Sequence, residues 1–423
     1  MIAACGQLLA TTIDEAASVW GAADRLAAQA LQRGADLLVL PETTYPAYWL
    51  ESAERYLRDD IERSPAVLDR FSKLAAGHEV WLVAGFVEEH EGRLYNSAAV
   101  FNRSGTQVGI ARKNFLWDCD NRWFTPGDEL SVFDTEFGRM GVFICADGRS
   151  PEITATLVGR GARFIVQPAA LVNAAAGSGQ FRNAQADFLV RSRALEFGVP
   201  LITCSKAGSE GSVLEYVGQS QLVGAGGDVI ACAAAEGEQL LAAEVQLSEK
   251  ARLPTMDAAS RDRLLDSAPP FRAPAPGKAC PIPVACTGSA IVALLEETGG
   301  RVARIGAAEL ASFVSARCHA LDGVQVLVAD GVDVAEILVR TRATENRVFV
   351  ILALDAMRLV VDPSGRIIWR EGHSEQTVTI DLTLADDKTL TPETNLWDQR
   401  RVACYELGAE PPAPASPERP AGI

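Results

Sequence analysis

An internal repeat constrains this chain more than any other feature. The stretch LVRSRALEFGVPLI from Leu189 returns as LVRTRATENRVFVI from Leu338, so that Arg191, Arg193 and Glu196 are matched by Arg340, Arg342 and Glu345. The flanking segments recur in the same order: GARFIVQPA corresponds to GVQVLVADG ahead of the helix, and LVGAGGDVIA to VVDPSGRIIW behind it. Half a domain has been duplicated, and both copies read as alternating strand and helix.

The same alternation runs through the chain ahead of the first copy. Thr12 and Glu15 read as a T-x-x-E capping box, the apolar residues through Ala30 recur at helical spacing, and Gly34 stops that helix. Asp36 to Leu40 (DLLVL) is a buried strand that delivers Pro41 and Glu42. EVWLVAGFVE and NSAAVFNRSGTQVG read as strands around turns. RMGVFIC, from Arg139 to Cys145, reads as a strand ending on the cysteine, and Pro151 and Glu152 open a helix running to Gly159. A strand (ARFIVQP), a helix (QFRNAQADFLVRSRALEF, stopped by Gly198), a strand (VPLITCS) and a hairpin around Gly226-Gly227 follow. This pattern predicts a layered α/β domain over residues 1–252. Residues 253–285, which include SAPPFRAPAPGKACPIP, predict a semi-rigid proline-rich linker. Residues 286–405 carry the second copy as a C-terminal α/β partial repeat, and 406–423 predict a disordered tail.

Composition removes several classes of function. A net charge of -16 repels polyanions, which argues against nucleic acid as a partner. The N-terminus MIAACGQLLATT lacks a basic region ahead of its apolar residues, and no window reaches the ~20 apolar residues that cross a bilayer, so no membrane association and a cytoplasmic location are expected. Nine cysteines without C-x-x-C spacing read mostly as inert buried thiols. The four histidines, His78, His90, His319 and His373, form no zinc pattern, so no metal is expected and any nucleophile needs a base other than histidine.

Three patterns carry chemistry: LVLPETTYP around Glu42, GIARKNF around Lys113 and GVFICADGRSPE around Cys145. Each polar residue ends an apolar run, and strand ends are where α/β proteins gather catalytic groups. A helix opening just after Cys145 leaves backbone N–H groups free to face an anion. A carboxylate can take the thiol proton and an ammonium can oppose the charge that develops, which gives Glu42 the role of base and Lys113, with the N–H of Ala146, the role of transition-state stabiliser. Taken singly, a strand-end cysteine is more often a buried thiol, a glutamate a surface acid and a lysine a solvated cation. Their combination in this order is what points to a site.

In order, spacing and neighbours these residues resemble the nitrilase superfamily, over roughly residues 1–250. The resemblance implies a four-layer α-β-β-α sandwich with a Glu-Lys-Cys triad. The form Cys145, Asp147, Arg149, Pro151, Glu152 is similar to the amidase and N-carbamoyl hydrolase branches more than to true nitrilases. It implies a small-molecule amide or ureido substrate, a thioester on Cys145, no cofactor, and a homo-oligomer. Those branches carry a glutamate before an aromatic-x-Pro-Gly loop; here DNRWFTPGD puts the shorter Asp120 there. Tyr48, Trp49, Trp117 and Trp123 are candidates for the pocket wall, and Arg149 for a substrate carboxylate or a structural ion pair. Asp147 and Glu152 are expected to hold the turn by hydrogen bonds.

The second copy has its counterpart of the cysteine turn near GGRVARIGAAE, which contains no cysteine, and no second Glu/Lys-bearing half precedes it. It reads as noncatalytic, docking on the first domain and limiting assembly. A nitrilase or an amide-forming acyltransferase is the alternative reaction, and a pseudoenzyme scaffold the alternative outside catalysis.

Overall fold

The computed structural model describes residues 1–180, 182–249, 251–267, 279–330, 334–353 and 357–408. Lys250, the centre of the expected linker (268–278) and residues 409–423 of the expected tail lie outside the described residues.

In chain order the first domain contains strands β1 (Ile2–Gln7), β2 (Leu37–Val39), β3 (Trp81–His90), β4 (Arg93–Phe101), β5 (Gln107–Arg112), β6 (Val132–Thr135), β7 (Gly138–Val142), β8 (Phe164–Pro168), β9 (Leu201–Cys204), β10 (Ala207–Glu210), β11 (Leu214–Val217), β12 (Gln221–Val223), β13 (Val229–Cys232) and β14 (Gln239–Glu244). They form two six-stranded sheets, ordered β14-β1-β2-β3-β4-β5 and β13-β12-β9-β8-β7-β6, and a small β10-β11 ribbon. Alternation along β3 sets the layers: Leu82, Ala84 and Phe86 face helices Val19–Gln32 and Ser64–Gly77, whereas Trp81 and Val83 face the second sheet. Helices Pro151–Gly159 and Val190–Phe197 cover the far side of that second sheet. The result is an α-β-β-α sandwich.

The second copy repeats the second sheet. Strands β15 (Ala279–Pro283), β16 (Val302–Gly306), β17 (Val326–Asp330), β18 (Phe349–Ala353), β19 (Met357–Val361), β20 (Ile367–Arg370) and β21 (Thr377–Asp381) follow, with a sheet of order β16-β17-β18-β19-β20 and a separate β15-β21 ribbon. The first three of that sheet are parallel and the last two antiparallel, as in β7-β8-β9-β12-β13. Met140 pairs with Phe164 and Val302 with Val326, so the opening crossover is equally long in both copies. The next crossover is not: Ile165 pairs with Leu201, but Leu327 pairs with Val350. The extra residues in the first copy fall between β8 and helix Val190–Phe197.

The copies meet through their equivalent helices, Val190–Phe197 and Glu336–Asn346. Arg193 pairs with Glu345 at 2.6 Å, Arg342 with Glu196 at 2.7 Å, and the Thr341 hydroxyl donates to Ser192 Oγ at 2.7 Å. Arg193 and Arg342 are fully buried, and each also reaches the glutamate of its own helix. Their guanidiniums act alike on the other contacts: Arg193 donates to the Gly148 and Arg149 carbonyls, and Arg342 to those of Leu310 and Ala311. Glu152 completes the interface with Arg317 at 3.0 Å and Arg400 at 3.7 Å. Helix Glu336–Asn346 thus covers the face of Val190–Phe197 within one chain.

Several boundaries differ from the expectation. Thr12 spends its hydroxyl on Glu15 Oε2 (3.1 Å) and makes no side-chain cap, so a 3-10 segment, Ile13–Ser18, precedes the α-helix. Strand β7 ends at Val142 and places Cys145 on a 3-10 turn, Cys145–Arg149. The helix expected from 180 starts later, at a π-helical turn, Gln185–Leu189, because Asn173 and Asn183 hold the preceding residues as a loop through side-chain bonds to Ala175, Arg182 and Gln185 amides. The expected linker 253–285 contains helix Ala258–Leu264, capped by Asp257, and strand β15. Pro281 and Pro283 are tolerated there because they point outward from a two-stranded ribbon while Cys280 and Ile282 are buried. The expected tail begins too early: the Glu406 amide donates to Thr156 Oγ1 at 3.0 Å, and Leu407 is buried.

Candidate functional site

Glu42 follows β2, Lys113 follows β5 and Cys145 follows β7, so the two sheets deliver the three side chains to one end of the sandwich. Gly85 on β3 makes room for the first of them, because a Cβ there would lie 2.6 Å from the Glu42 Cα. Lys113 Nζ donates to Glu42 Oε1 at 2.6 Å and to Asp120 Oδ2 at 2.5 Å, and all three side chains are fully buried. Asn96 Nδ2 bridges the carboxylates, 2.7 Å from Glu42 and 3.3 Å from Asp120. Glu42 Oε2 accepts from no nitrogen or oxygen donor among the described residues.

Cys145 has φ +45, a left-handed conformation that side chains rarely adopt and that recurs at functional sites. The turn is over-determined around it. Asp147 Oδ2 accepts from the Ile144 amide, and Oδ1 from Asn114 and Phe115. Gln167 Nε2 donates to the Cys145 carbonyl at 2.8 Å and to Gln185 Oε1 at 2.9 Å. The thiol itself has weak contacts, to the Ala170 carbonyl at 3.8 Å and from Gln185 Nε2 at 4.0 Å.

Electrostatics sort the protons. Burial, with the Glu42 charge, pushes the Cys145 thiol well up, and Lys113 opposes this. Burial raises Glu42 from its ordinary value, with Lys113 opposing the rise and Asp120 adding to it. Burial would lower Lys113, but Asp120 and Glu42 hold its ammonium well above the usual value. The two shifts that favour the neutral form, at Cys145 and Glu42, thus lie beside one that favours the charged form, at Lys113. Burial also lifts Asp147 to about 7 despite its three amide donors.

A cleft of about 690 Å³ opens in front of the thiol, lined by Trp117, Cys145, Ala146 and Arg149. Three expected wall residues, Tyr48, Trp49 and Trp123, lie elsewhere. Tyr48 packs beneath the site, its ring 5.6 Å from Lys113 Nζ and its hydroxyl bonded to the Trp117 carbonyl. Trp123 packs edge-on against Trp49, centroids 5.3 Å apart. The three rings are anchored by neighbours that sequence spacing does not reveal. Glu210 also escaped the sequence reading; its carboxylate accepts from the Tyr48 and Trp49 amides and pairs with Lys206. Asn96 gave no signal because a polar residue inside an apolar strand has no motif.

The C-terminal region reaches the site as well. Gln399 accepts from the Leu116 amide at 3.0 Å and Thr394 Oγ1 from Asp118 at 2.6 Å, so residues 394–399 hold the loop that carries Trp117 and Asp120. Among the described residues, no group of three His, Cys, Asp or Glu could hold a metal ion, and no helix is long and apolar enough to cross a membrane.

A model of the carbon-nitrogen hydrolase family matches residues 2–254. The omega-amidase NIT2 of Xenopus tropicalis is 32% identical over 240 residues, covering 54% of this chain and 83% of that protein. The human omega-amidase NIT2 is 30% identical over 236 residues, covering 53% and 82%. Among solved structures, a carbon-nitrogen hydrolase from Helicobacter pylori G27 has a TM-score of 0.52 at 26% identity, covering 58% of this chain and 89% of that one. The amidase from Nesterenkonia sp. AN1 shares the fold, with a TM-score of 0.51 at 23% identity and coverage of 58% and 93%. This chain belongs to the carbon-nitrogen hydrolase family, in the amidase-like branch of the nitrilase superfamily.

Proposed function

We propose that the protein hydrolyses a linear amide or N-carbamoyl compound through a thioester on Cys145. The observation that carries this reading is the buried Glu42–Lys113–Asp120 cluster beside a cysteine held at positive φ. Cys145 Sγ attacks the carbonyl carbon while its proton passes to Glu42. Lys113 and the Ala146 amide face the oxyanion that forms, and one such donor contributes roughly 2.7–4 kcal/mol. The tetrahedral adduct collapses, the C–N bond breaks, and the proton on Glu42 leaves with ammonia or amine. A water then gives its proton to Glu42 and attacks the thioester, releasing the acid and restoring the thiol. Asp120 is a positioning residue in this scheme, holding Lys113 from the side opposite Glu42.

The second copy takes no part in this chemistry in our reading. It holds the loop of residues 114–123 and closes the pocket. Ammonia release from simple amides and N-carbamoyl amino acids tests the proposal. Release that vanishes in Cys145→Ala, with an acyl adduct of matching mass on unmodified Cys145, is the expected result. Neither release nor adduct from any of these compounds overturns it.

A further inference from the structure

Three uncharged polar side chains run behind the nucleophile from paired positions on β8 and β9. The Thr203 hydroxyl donates to Gln167 Oε1 at 2.8 Å, Gln167 Nε2 donates to Gln185 Oε1 at 2.9 Å, and Gln185 Nε2 lies 4.0 Å from Cys145 Sγ. All three are buried. Their orientation is fixed from one end. Gln167 also faces the Cys145 carbonyl at 2.8 Å, and a carbonyl only accepts, so Gln167 must turn Nε2 that way and Oε1 towards Thr203. Both hydrogens of Gln167 Nε2 are then spent, one on that carbonyl and one on Gln185 Oε1. Turning the Gln185 amide over would set one N–H against another, so its Nε2 faces the sulfur. Gln185 also lines the cleft, whose walls come from both copies, Thr344 and Ile367 among them from the second.

The nucleophile turn makes room for the two amides. A Cβ on Gly148 would come within 2.9 Å of Gln185 Oε1 and 3.0 Å of Gln167 Nε2. Gln185 opens the π-helical turn Gln185–Leu189, a local form frequent at functional sites. Asn183 Oδ1 holds that turn through the Gln185 amide and Gln221 Nε2 through the Ala186 carbonyl.

The second copy separates this chain of side chains from the fold. Strand pairing and the repeated helix put Ala329, Leu352 and Val334 where the first copy has Gln167, Thr203 and Gln185. All three polar groups are missing from the copy without the cysteine, although the buried arginines and glutamates of the repeated helices stand in both.

We propose that Gln185 is a catalytic residue that donates an Nε2 hydrogen to Cys145 Sγ as the sulfur ionises, with Gln167 and Thr203 as positioning residues. The proposal rests on the reading of Cys145 as nucleophile. The thiol proton passes to Glu42, Gln185 keeps both of its own, and the charge left on sulfur draws in an N–H that makes only a long contact with the neutral thiol. A hydrogen bond to a charged partner is shorter and roughly twice as strong as a neutral one. The contact therefore gains most where the charge appears, and it lowers the cost of forming a thiolate out of water.

The test reads the sulfur without turnover. Full-length protein is alkylated with iodoacetamide between about pH 5 and about pH 9, and modification of Cys145 is followed by peptide mass spectrometry. Gln185→Met keeps the side-chain length and removes the donor, and should slow alkylation of Cys145 at least about tenfold. Gln185→Glu gives a change of sign. Protonated, its C=O accepts from Gln167 while its O–H faces the sulfur, so its rate should stay close to that of unmodified protein; ionised, it sets a carboxylate against the thiolate. The ratio of its rate to the unmodified rate should therefore fall at least about tenfold as pH rises. A residue that only packs would give one ratio at every pH. Melting temperatures confirm that each variant is folded. A Gln185→Met rate within about twofold of the unmodified one, or a Gln185→Glu ratio that does not change with pH, overturns the proposal while leaving the nucleophile in place. No alkylation of Cys145 in unmodified protein overturns both, and ammonia release by that protein tests the hydrolase reading separately.

Discussion

In the first copy the turn after β7 carries Cys145; in the second, shifting by the 162 residues that separate Met140 from Val302 puts Ala307 in that place. Both turns are nevertheless held in the same way. Asp147 accepts from the Ile144 amide at 2.9 Å, and its counterpart Glu309 accepts from Gly306 at 2.7 Å. Arg193 and Arg342 then donate to the carbonyls that follow. The second copy has kept the residues that support a nucleophile without having the nucleophile. These residues answer to the fold, since each arginine also crosses to the glutamate of the other copy. What the second copy lacks besides the cysteine is the longer crossover after β8, from which Ala170, Leu171 and Gln185 line the pocket. Support and chemistry are thus separable layers of one architecture.

The contrast can be broken most directly at the nucleophile. Cys145→Ala is expected to lower kcat/KM for amide hydrolysis at least about 10⁴-fold. Adding Ala307→Cys to that variant should restore nothing, because among the described residues the second copy has no strands bearing a Glu42 or Lys113 equivalent. Ammonia release measured on both variants decides, and recovered activity would mean that the two turns differ by less than we argue.

The next effect concerns the shared helices. Glu345→Ala and Glu196→Ala each leave Arg193 and Arg342 sharing the one remaining glutamate, and each should cost about 3–5 kcal/mol in urea unfolding. If the copies support each other equally the two costs will be similar; a cost confined to one would show that the reciprocity is only geometric.

A smaller effect lies in the pH profile. In the proposed mechanism activity needs Glu42 as carboxylate, and its pKa is raised, so the acidic limb of kcat/KM should lie above that of an ordinary glutamate, with rate lost as pH falls through it. Asp120→Asn removes a charge that raises Glu42, and should move the limb to lower pH in whatever activity remains. A limb unmoved by that change would take Asp120 out of the cluster's electrostatics. The smallest effect is expected at the exposed edge of the first copy, where breaking the Arg139–Asp134 pair at 2.8 Å should change stability by less than about 1 kcal/mol in the same urea assay.

Much of the site was legible because Glu42, Lys113 and Cys145 each end an apolar run, and a charged side chain at such a place needs a reason. The repeat was legible for a related reason, since its arginines and glutamates are paired across the copies and cannot vary alone. Asn96 and Gln185 were not, because their importance comes from partners 54 and 40 residues away, Glu42 and Cys145. Tyr48, Trp49 and Trp123 were misplaced on the pocket wall because ring spacing along a chain does not distinguish a wall from the packing behind it. The late start of the helix before Leu189 was decided by two asparagines folding the chain locally, against apolar spacing that continued through it.

The pairing of Arg193 and Arg342 across the copies is made within a single chain. Two separate subunits would meet at a rate set by their concentration and would come apart on dilution. Here the linking segment fixes the local concentration of each half around the other, in the millimolar range for short tethers, however dilute the protein becomes. A pocket with walls from both halves therefore stays assembled at trace abundance, always at one wall to one nucleophile.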